Sequence, residues 1–541
     1  MEQPKEQNYL HGAAILTVAV IVTKLLGAIY KITLGNIFGD AGYAYFYSAY
    51  SVYYVFLIMA TAGLPVAMSR MVAEANEQGR IMQSRRIFSV SWWTFLVLGV
   101  ISALIMFLFP QQLAGLLNRP EAAKSIYAIA PGILFVCMVS TYRGYCQGCR
   151  NMTPTTIGQI IEVLVKVVVG LPLAIILIKQ GSDMESACGG AAFGVTVGGL
   201  AVLIYMFAYK KRRYKDTTIA NPDVPDSRGK ILGTLLRIGI PITIGATGMS
   251  LISLIDTKFI NLRLQSAAGF TQAESSVLFG VYCKAQTLFN LPPAFVNPLV
   301  ISIVPSIAAC IVDKKYKESG LIAEDSMRIA MDVCLPMGVG LAVLAYPIMN
   351  VIYANSHESG PVLLAMMGIA SFFVCMSLVQ NAILQAHGNE SLTIYSILTG
   401  GVIKVIADWF LVGDPNINIY GAPIGTILCY IVMCGMNHVF IMKKYEYAPQ
   451  LSKVIPRPLI SSLIMGAVTF GIYKLMALVV GTGSLMRTAV CLVVAIAAGV
   501  VVYVIAAVQT RAITYEDMTL IPKGAKLAAI MHIRPAPRHL K

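Results

Sequence analysis

The sequence is poor in charge. Only 12% of its 541 residues are Asp, Glu, Lys or Arg, about half the share of a typical soluble domain, which excludes a water-facing surface for a chain of this length. Histidine is scarce as well, at 6. The segments on one side of the apolar runs are about 20 residues or less, too short to carry the carboxylates and histidines of an acid–base enzyme. No Walker-type glycine loop occurs, so the chain is not expected to hydrolyse ATP. The short alternating patterns of a membrane β-barrel are missing too. The 11 cysteines lie mostly inside apolar runs, where a thiol packs as a small hydrophobe. Cys146 and Cys149 form one C-x-x-C with no second pair and no histidine nearby, so no disulfide framework, metal site or cofactor is expected.

What the chain has instead is apolar length: 57% of it is hydrophobic. About 20 such residues span the hydrocarbon core as a helix, and fourteen runs qualify: 11–34, 44–67, 87–109, 125–146, 157–178, 187–209, 234–257, 277–304, 328–350, 361–385, 392–412, 421–442, 458–480 and 486–508. The first is too long for a signal-peptide core and is read as helix 1. The expected fold class is an all-α polytopic membrane protein with 14 transmembrane helices.

Lys and Arg set the orientation. With a cytoplasmic N-terminus, 27 of the 41 basic residues fall on inward segments, 6 on outward loops and 8 within the runs, so both termini are expected to be cytoplasmic. The net charge of +15 is mostly this asymmetry, and it favours contact with anionic inner-leaflet lipids. Nothing in it favours nucleic acid.

The sequence also repeats. At a shift of 238 residues, Phe135-Val136-Cys137-Met138 falls on Phe373-Val374-Cys375-Met376, Gln147 on Gln385, Asn151 on Asn389 and Lys166 on Lys404. At a shift of 231, Gly190-Ala191-x-x-Gly194 falls on Gly421-Ala422-x-x-Gly425, and Pro110 and Pro347 lie 237 apart. The shift spans six helices, an even number, so both copies insert the same way, as in transporters that rock two halves about a central site. The expected organisation is a cytoplasmic N-terminus (1–10), a six-helix N-lobe (11–228), a parallel six-helix C-lobe (229–445), an appended helix pair (446–508) and a basic cytoplasmic tail (509–541). The basic stretch 210–230 reads as the linker between lobes.

Charges inside the runs are the most informative residues. Lys31, Arg143 and Arg237 lie near run ends and can snorkel to the interface. Lys24, Lys166, Lys284 and Lys404 lie deeper, where facing lipid costs each roughly 2.5–3.5 kcal/mol, so a wet cavity or a partner is expected. Glu162 precedes Lys166 by four residues and Asp408 follows Lys404 by four, placing each pair on one helix face as a cavity ion pair. Lys24 and Lys284 have no acid at that spacing. They are the leading ligand candidates, with Lys31, Asp256, Asn290 and Asn297 completing the expected substrate-binding set. A cavity whose unpaired charges are ammonium groups selects an anion, phosphate above all. The aromatic run Tyr43, Tyr45, Phe46, Tyr47, Tyr50, Tyr53, Tyr54 suits an interfacial belt or a surface on which a sugar stacks.

Thr23-Lys24-Leu25-Leu26-Gly27, Leu34-Gly35-x-x-Phe38-Gly39 and Gly63-Leu64-Pro65 with Ala67, Ser69 and Arg70 resemble the opening of the multidrug/oligosaccharidyl-lipid/polysaccharide (MOP) exporter superfamily. Tyr282-x-Lys284-Ala285-Gln286, Asn290-Leu291-Pro292 and Ser302-x-x-Pro305 resemble its branch of stage V sporulation protein B and MurJ-like lipid II flippases. The resemblance implies two six-helix lobes, a cavity lined by helices 1, 2, 7 and 8, and alternating-access transfer of an undecaprenyl-pyrophosphate-linked saccharide to the outer leaflet of a bacterial plasma membrane. It implies no catalytic residue, and it extends to cell-wall or spore-cortex synthesis enzymes as partners. Lys24 matches a basic position of the family's helix 1 and Lys284 the basic residue of helix 8. The chain departs from many lipid II flippases in having Tyr30 and Lys31 near the next basic position and tyrosines where helix 2 carries an acid. A cation-coupled multidrug exporter of the same superfamily is the alternative; it would hold its ligand with buried carboxylates.

Overall fold

The structure, a computed structural model, describes residues 9–213, 223–481 and 483–513. The first eight residues of the expected N-terminal segment, the middle of the expected linker (214–222) and most of the expected basic tail (514–541) lie outside the described residues.

In chain order the helices are α1 (Tyr9–Thr61), α2 (Gly63–Glu77), α3 (Ile81–Leu108), α4 (Pro110–Leu116), α5 (Ala123–Gly148), α6 (Thr153–Lys179), α7 (Met184–Arg213), α8 (Arg228–Ser266) and α9 (Gln272–Phe289), then α10 (Leu291–Val312), α11 (Tyr316–Val343), α12 (Ala345–Ile352), α13 (Gly360–Ala386), α14 (Glu390–Leu411), α15 (Gly421–Lys444), α16 (Leu451–Val454), α17 (Pro456–Val480) and α18 (Leu485–Gln509). Among the described residues there is no strand. This is the polytopic all-α class, as the composition requires.

Twelve segments are long and apolar enough to cross a membrane among the described residues, against fourteen expected. The difference has two sources. The runs 11–34 and 44–67 join in one helical stretch, interrupted at Gly39, whose φ of 68° and ψ of −165° are non-helical, and at Ala62 between α1 and α2. The run 234–257 falls in α8, where side chains at 245, 248 and 249 lie outside the described residues, and α8 is not among the twelve.

The backbone carries the repeat more plainly than the side chains do. Left-handed residues occur in pairs at Gly39 and Gly269, Gly79 and Lys314, Asn118 and Asn355, Arg150 and Gly388, and Gly181 and Asn418, separated by 230, 235, 237, 238 and 237 residues. Five of the ten are not glycine and each costs about 1–2 kcal/mol in this conformation, so the matching spacing accords with repeated connections. A side-chain bond recurs as well: Asn151 Nδ2 donates to Tyr209 Oη at 2.9 Å, and Asn389 Nδ2 to Tyr445 Oη at 2.7 Å.

The chain divides into two compact units, residues 1–283 with 413–415, and residues 284–412 with 416–541. The division falls inside α9. In the first unit α8 packs on α1, α2 and α3, and a methyl at Gly63 would collide with the carbonyl oxygen of Gly239, so only a glycine lets α2 and α8 approach this closely. The end of the linker is docked too: Asp223 accepts from the Met82 and Gln83 amides at 2.6 and 3.0 Å, satisfying the free N–H groups that open α3. In the second unit, Met327, Met331, Cys334, Cys375 and Val379 form the centre of an apolar core shared by α11 and α13.

Candidate functional site

In the first unit, α1 and α6 bring basic and aromatic side chains together. Gly170 of α6 makes room for Tyr30, which is buried and donates its hydroxyl to the Ala191 carbonyl of α7 at 2.9 Å. The same glycine lies against Gly194 of the repeated Gly-Ala-x-x-Gly motif, so α6 and α7 meet backbone to backbone. With Tyr30 fixed, the Lys166 ammonium stands 5.3 Å from the centre of its ring. Lys31, one position along α1, stands 4.8 Å from the Tyr50 ring and 5.5 Å from the Tyr47 ring. Lys31 and Lys166 are close enough to Lys24 and to one another to repel, and Lys24 is exposed. Aromatic faces stabilise the two inner ammonium groups by roughly 0.5–2 kcal/mol apiece. They supply no negative charge; the Glu162 carboxylate acts on Lys166 through space without bonding to it.

Glu162 does not complete this cluster in the way its spacing implies. It accepts from Arg143 of α5 at 3.0 Å, not from Lys166 four residues along. The physical reason is reach: Arg143 approaches from a neighbouring helix with a planar fork, whereas Lys166 is turned to the Tyr30 ring. Asp256 of α8 is buried and accepts from Tyr282 Oη at 3.3 Å.

The second unit holds the remaining expected residues. Lys284 is 1% exposed, with its ammonium 5.2 Å from the centre of the Tyr353 ring at the end of α12. Asn290 is exposed between α9 and α10 and donates to the Gln286 carbonyl at 2.8 Å, and Asn297 is half-buried on α10. Lys404 and Asp408 lie apart from any exposed surface: the Lys404 ammonium donates to Thr426 Oγ1 at 2.7 Å and lies 3.7 Å from Asp408 Oδ2, with Lys404 5% and Asp408 0% exposed. Gly425 leaves the space that the Asp408 carboxyl occupies. This pair holds α14 to α15.

Three features escape sequence reasoning. Arg143 is the partner of Glu162, Tyr353 covers Lys284, and Arg119, an ordinary basic residue of a short loop by sequence, is fully buried among α8 and α9. Each joins residues 19 to 157 positions apart, so no local spacing signals it. Outside the membrane segments, Asp183 shows a strong electrostatic perturbation. Hydrogen bonds from the Lys124 ammonium at 2.6 Å and from the Ser186 hydroxyl hold its carboxyl down to about 2. No group of three or more His, Cys, Asp or Glu suited to a metal occurs among the described residues.

With this geometry in hand, comparison with known proteins places the chain. Residues 9–310 match a family described as polysaccharide biosynthesis protein. Stage V sporulation protein B of Bacillus subtilis is 27% identical over 96% of this chain and 98% of its own length. The lipid II flippase MurJ of the same organism is 25% identical over 91% of this chain and 94% of its own. Among solved structures, a lipid II flippase MurJ in an inward closed conformation superposes with a TM-score of 0.67, 14% identity, and coverage of 92% of this chain and 99% of that one. A multidrug resistance MATE family transporter of the MOP superfamily, inward-facing, superposes at 0.64 with 15% identity, over 79% of this chain and 97% of its own. At these identities the structures speak to the fold, which is that of MurJ and MATE transporters.

Proposed function

Because the chain belongs to the polysaccharide biosynthesis protein family, we propose that this multi-pass membrane protein moves an undecaprenyl-pyrophosphate-linked saccharide from the inner to the outer leaflet of the plasma membrane by alternating access, with both termini cytoplasmic. Lys24, Lys31 and Lys166 of the first unit receive the diphosphate, and Lys284 of the second unit is a further basic ligand expected for the substrate. Tyr47 and Tyr50 flank the ammonium groups as surfaces on which a sugar ring can stack. The observation that supports this reading is the grouping of Lys31 and Lys166 over tyrosine faces with Lys24 near enough to repel them, while among the described residues the neighbouring Glu162 carboxylate is bonded to Arg143. Asp256, Asn290 and Asn297 supply polar contacts to the saccharide.

No covalent step is required, so the protein is a transporter, not an enzyme. Moving a pyrophosphate outward runs with an inside-negative potential, worth roughly 2.3 kcal/mol per charge per 100 mV. Precursor and product handling by cell-wall or spore-cortex synthesis enzymes would lie on either side of the step. Anionic inner-leaflet lipids would meet the basic cytoplasmic segments.

The likeness to MATE transporters supports a second reading, a cation-coupled multidrug exporter. Vesicles containing the protein and a fluorescent lipid-linked saccharide separate the two. Leaflet transfer supports the flippase, whereas drug export without lipid transfer supports the exporter. Depletion of a cell's own lipid II flippase, with this chain expressed in its place, then distinguishes lipid II from a sporulation or capsule precursor according to which defect is rescued.

A further inference from the structure

We infer that Arg119 is a reversible latch on the outward side of the first unit, the group that must leave its socket before α9 can swing and open the site outward. Its sidedness rests on the orientation proposed above. The residue sits in the short connection between α4 and α5, and its whole side chain is buried. Its guanidinium donates to Asn261 Oδ1 at 2.7 and 3.2 Å, to the Ser275 carbonyl and hydroxyl at 2.9 and 3.0 Å, and to the Ser276 hydroxyl. The Phe279 ring lies 5.6 Å from the guanidinium carbon. The rest of the connection grips the same two helices: the Leu117 carbonyl accepts from Asn261 Nδ2 at 3.2 Å, and Glu121 accepts from Gln272 Nε2 at 2.6 Å.

The chemistry of the socket distinguishes a latch from a fixed anchor. Every hydrogen-bond acceptor is neutral, and among the described residues no carboxylate pairs with the guanidinium: that of Glu121, two residues along, acts on it through space and bonds to Gln272 instead. Desolvation of a buried cation offsets much of what its hydrogen bonds return, so such a socket holds the arginine without holding it tightly. When the arginine withdraws to water it leaves no stranded charge behind; a socket built on a carboxylate would leave one, at a cost of several kcal/mol. Of the vacated groups, the Ser276 hydroxyl keeps a partner, since it donates to the Gln272 carbonyl at 2.7 Å.

The elements that the latch joins are placed to move. α8 and α9 are connected through Gly269 at φ 78°, a residue that can absorb a large backbone rotation. Lower on α9, Gly280 packs against the Asp40 carbonyl just beyond the break at Gly39, so displacement of α9 alters the bend of the helix that carries Lys24 and Lys31. The device belongs to one copy of the repeat alone. At the equivalent junction the left-handed Asn355 is followed by Ser356, where Asn118 is followed by Arg119.

The test reads motion without substrate. Native Cys283 lies seven residues, two helical turns, beyond Ser276 on α9 and is fully buried. In a full-length protein keeping that thiol and lacking the other ten cysteines, a membrane-impermeant maleimide is added to spheroplasts and, separately, to inside-out vesicles. Arg119→Lys, Asn261→Ala and the milder Ser276→Ala should each raise outside labelling, by at least about tenfold for Asn261→Ala, which removes two bonds to the guanidinium where a single charged hydrogen bond is worth about that factor. Equal rates in parent and variants overturn the latch. So does labelling that rises only from the cytoplasmic side, and so does failure of all three variants to insert, which would make Arg119 an anchor. If labelling responds but no lipid-linked saccharide is transferred, the substrate reading falls and the latch stands.

Discussion

The Lys404–Asp408 pair offers a quantitative test of how this bundle tolerates charge. Lys404→Met removes an ammonium lying 2.7 Å from Thr426 Oγ1 and 3.7 Å from a carboxylate with no exposed surface. Breaking a buried pair from one side costs about 3–5 kcal/mol, because the partner keeps its desolvation penalty and loses its compensation. On the scale of 1.4 kcal/mol per decade, the folding equilibrium should fall by about two to three and a half decades. The double variant Lys404→Met with Asp408→Asn keeps volume close to that of the native pair, which matters because Gly425 leaves no spare room beside the carboxyl. It should regain at least half of the loss. Reversible unfolding in bicelles, followed by steric trapping, measures both. A single variant within about 1 kcal/mol of the parent, or a double variant no better than the single, would refute the claim that the pair compensates itself in place.

Other outcomes follow from the same coordinates. Gly280→Ala forces a methyl into the Asp40 carbonyl, so it should destabilise the first unit by about 1–3 kcal/mol, seen as a lower melting midpoint in detergent. Tyr30→Phe deletes the 2.9 Å bond to the Ala191 carbonyl and should cost about 0.5–1.5 kcal/mol, while the ring beneath Lys166 survives and transport continues. Asp183 titrates lower folded than unfolded, at about 2. Its contribution is therefore full above the ordinary carboxylate range and is lost as pH falls through the folded value; the melting difference between parent and Asp183→Asn should shrink steadily between about pH 4 and pH 2.

Composition and spacing reach far into this molecule, because the bilayer imposes its rules on every run of 20 residues. Low charge and apolar length dictate helices, and the matched glycines, asparagines and prolines disclose the duplication that the left-handed junctions carry in the backbone. The deep lysines stand out because charge in hydrocarbon is expensive. Partner choice is what local spacing misses. Glu162 lies one helical turn from Lys166, yet it bonds to Arg143 across a helix interface, because a residue's nearest charge in space is decided by packing. Arg119 lies in a short connection, and nothing in its neighbours announces a socket assembled from α8 and α9 more than 140 positions later. Tyr353 likewise reaches Lys284 from 69 positions away. The Lys31 ammonium, near a run end and able to snorkel by sequence, instead stands among tyrosine rings because Gly39 bends the chain and returns Tyr47 and Tyr50 beside it.

The central claim is that ammonium groups from α1 and α6 receive a lipid-linked diphosphate, with Lys284 as a further basic ligand expected for the substrate. The most direct measurement is the rate at which reconstituted vesicles transfer a fluorescent undecaprenyl-pyrophosphate saccharide between leaflets, for the parent and for Lys31→Ala, Lys166→Ala and Lys284→Ala at matched insertion. The account predicts transfer by the parent and at least a tenfold loss in each variant, the fall expected when one charge-assisted phosphate contact worth about 1.5–3 kcal/mol is removed. Transfer that proceeds at the parent rate in all three variants would contradict it.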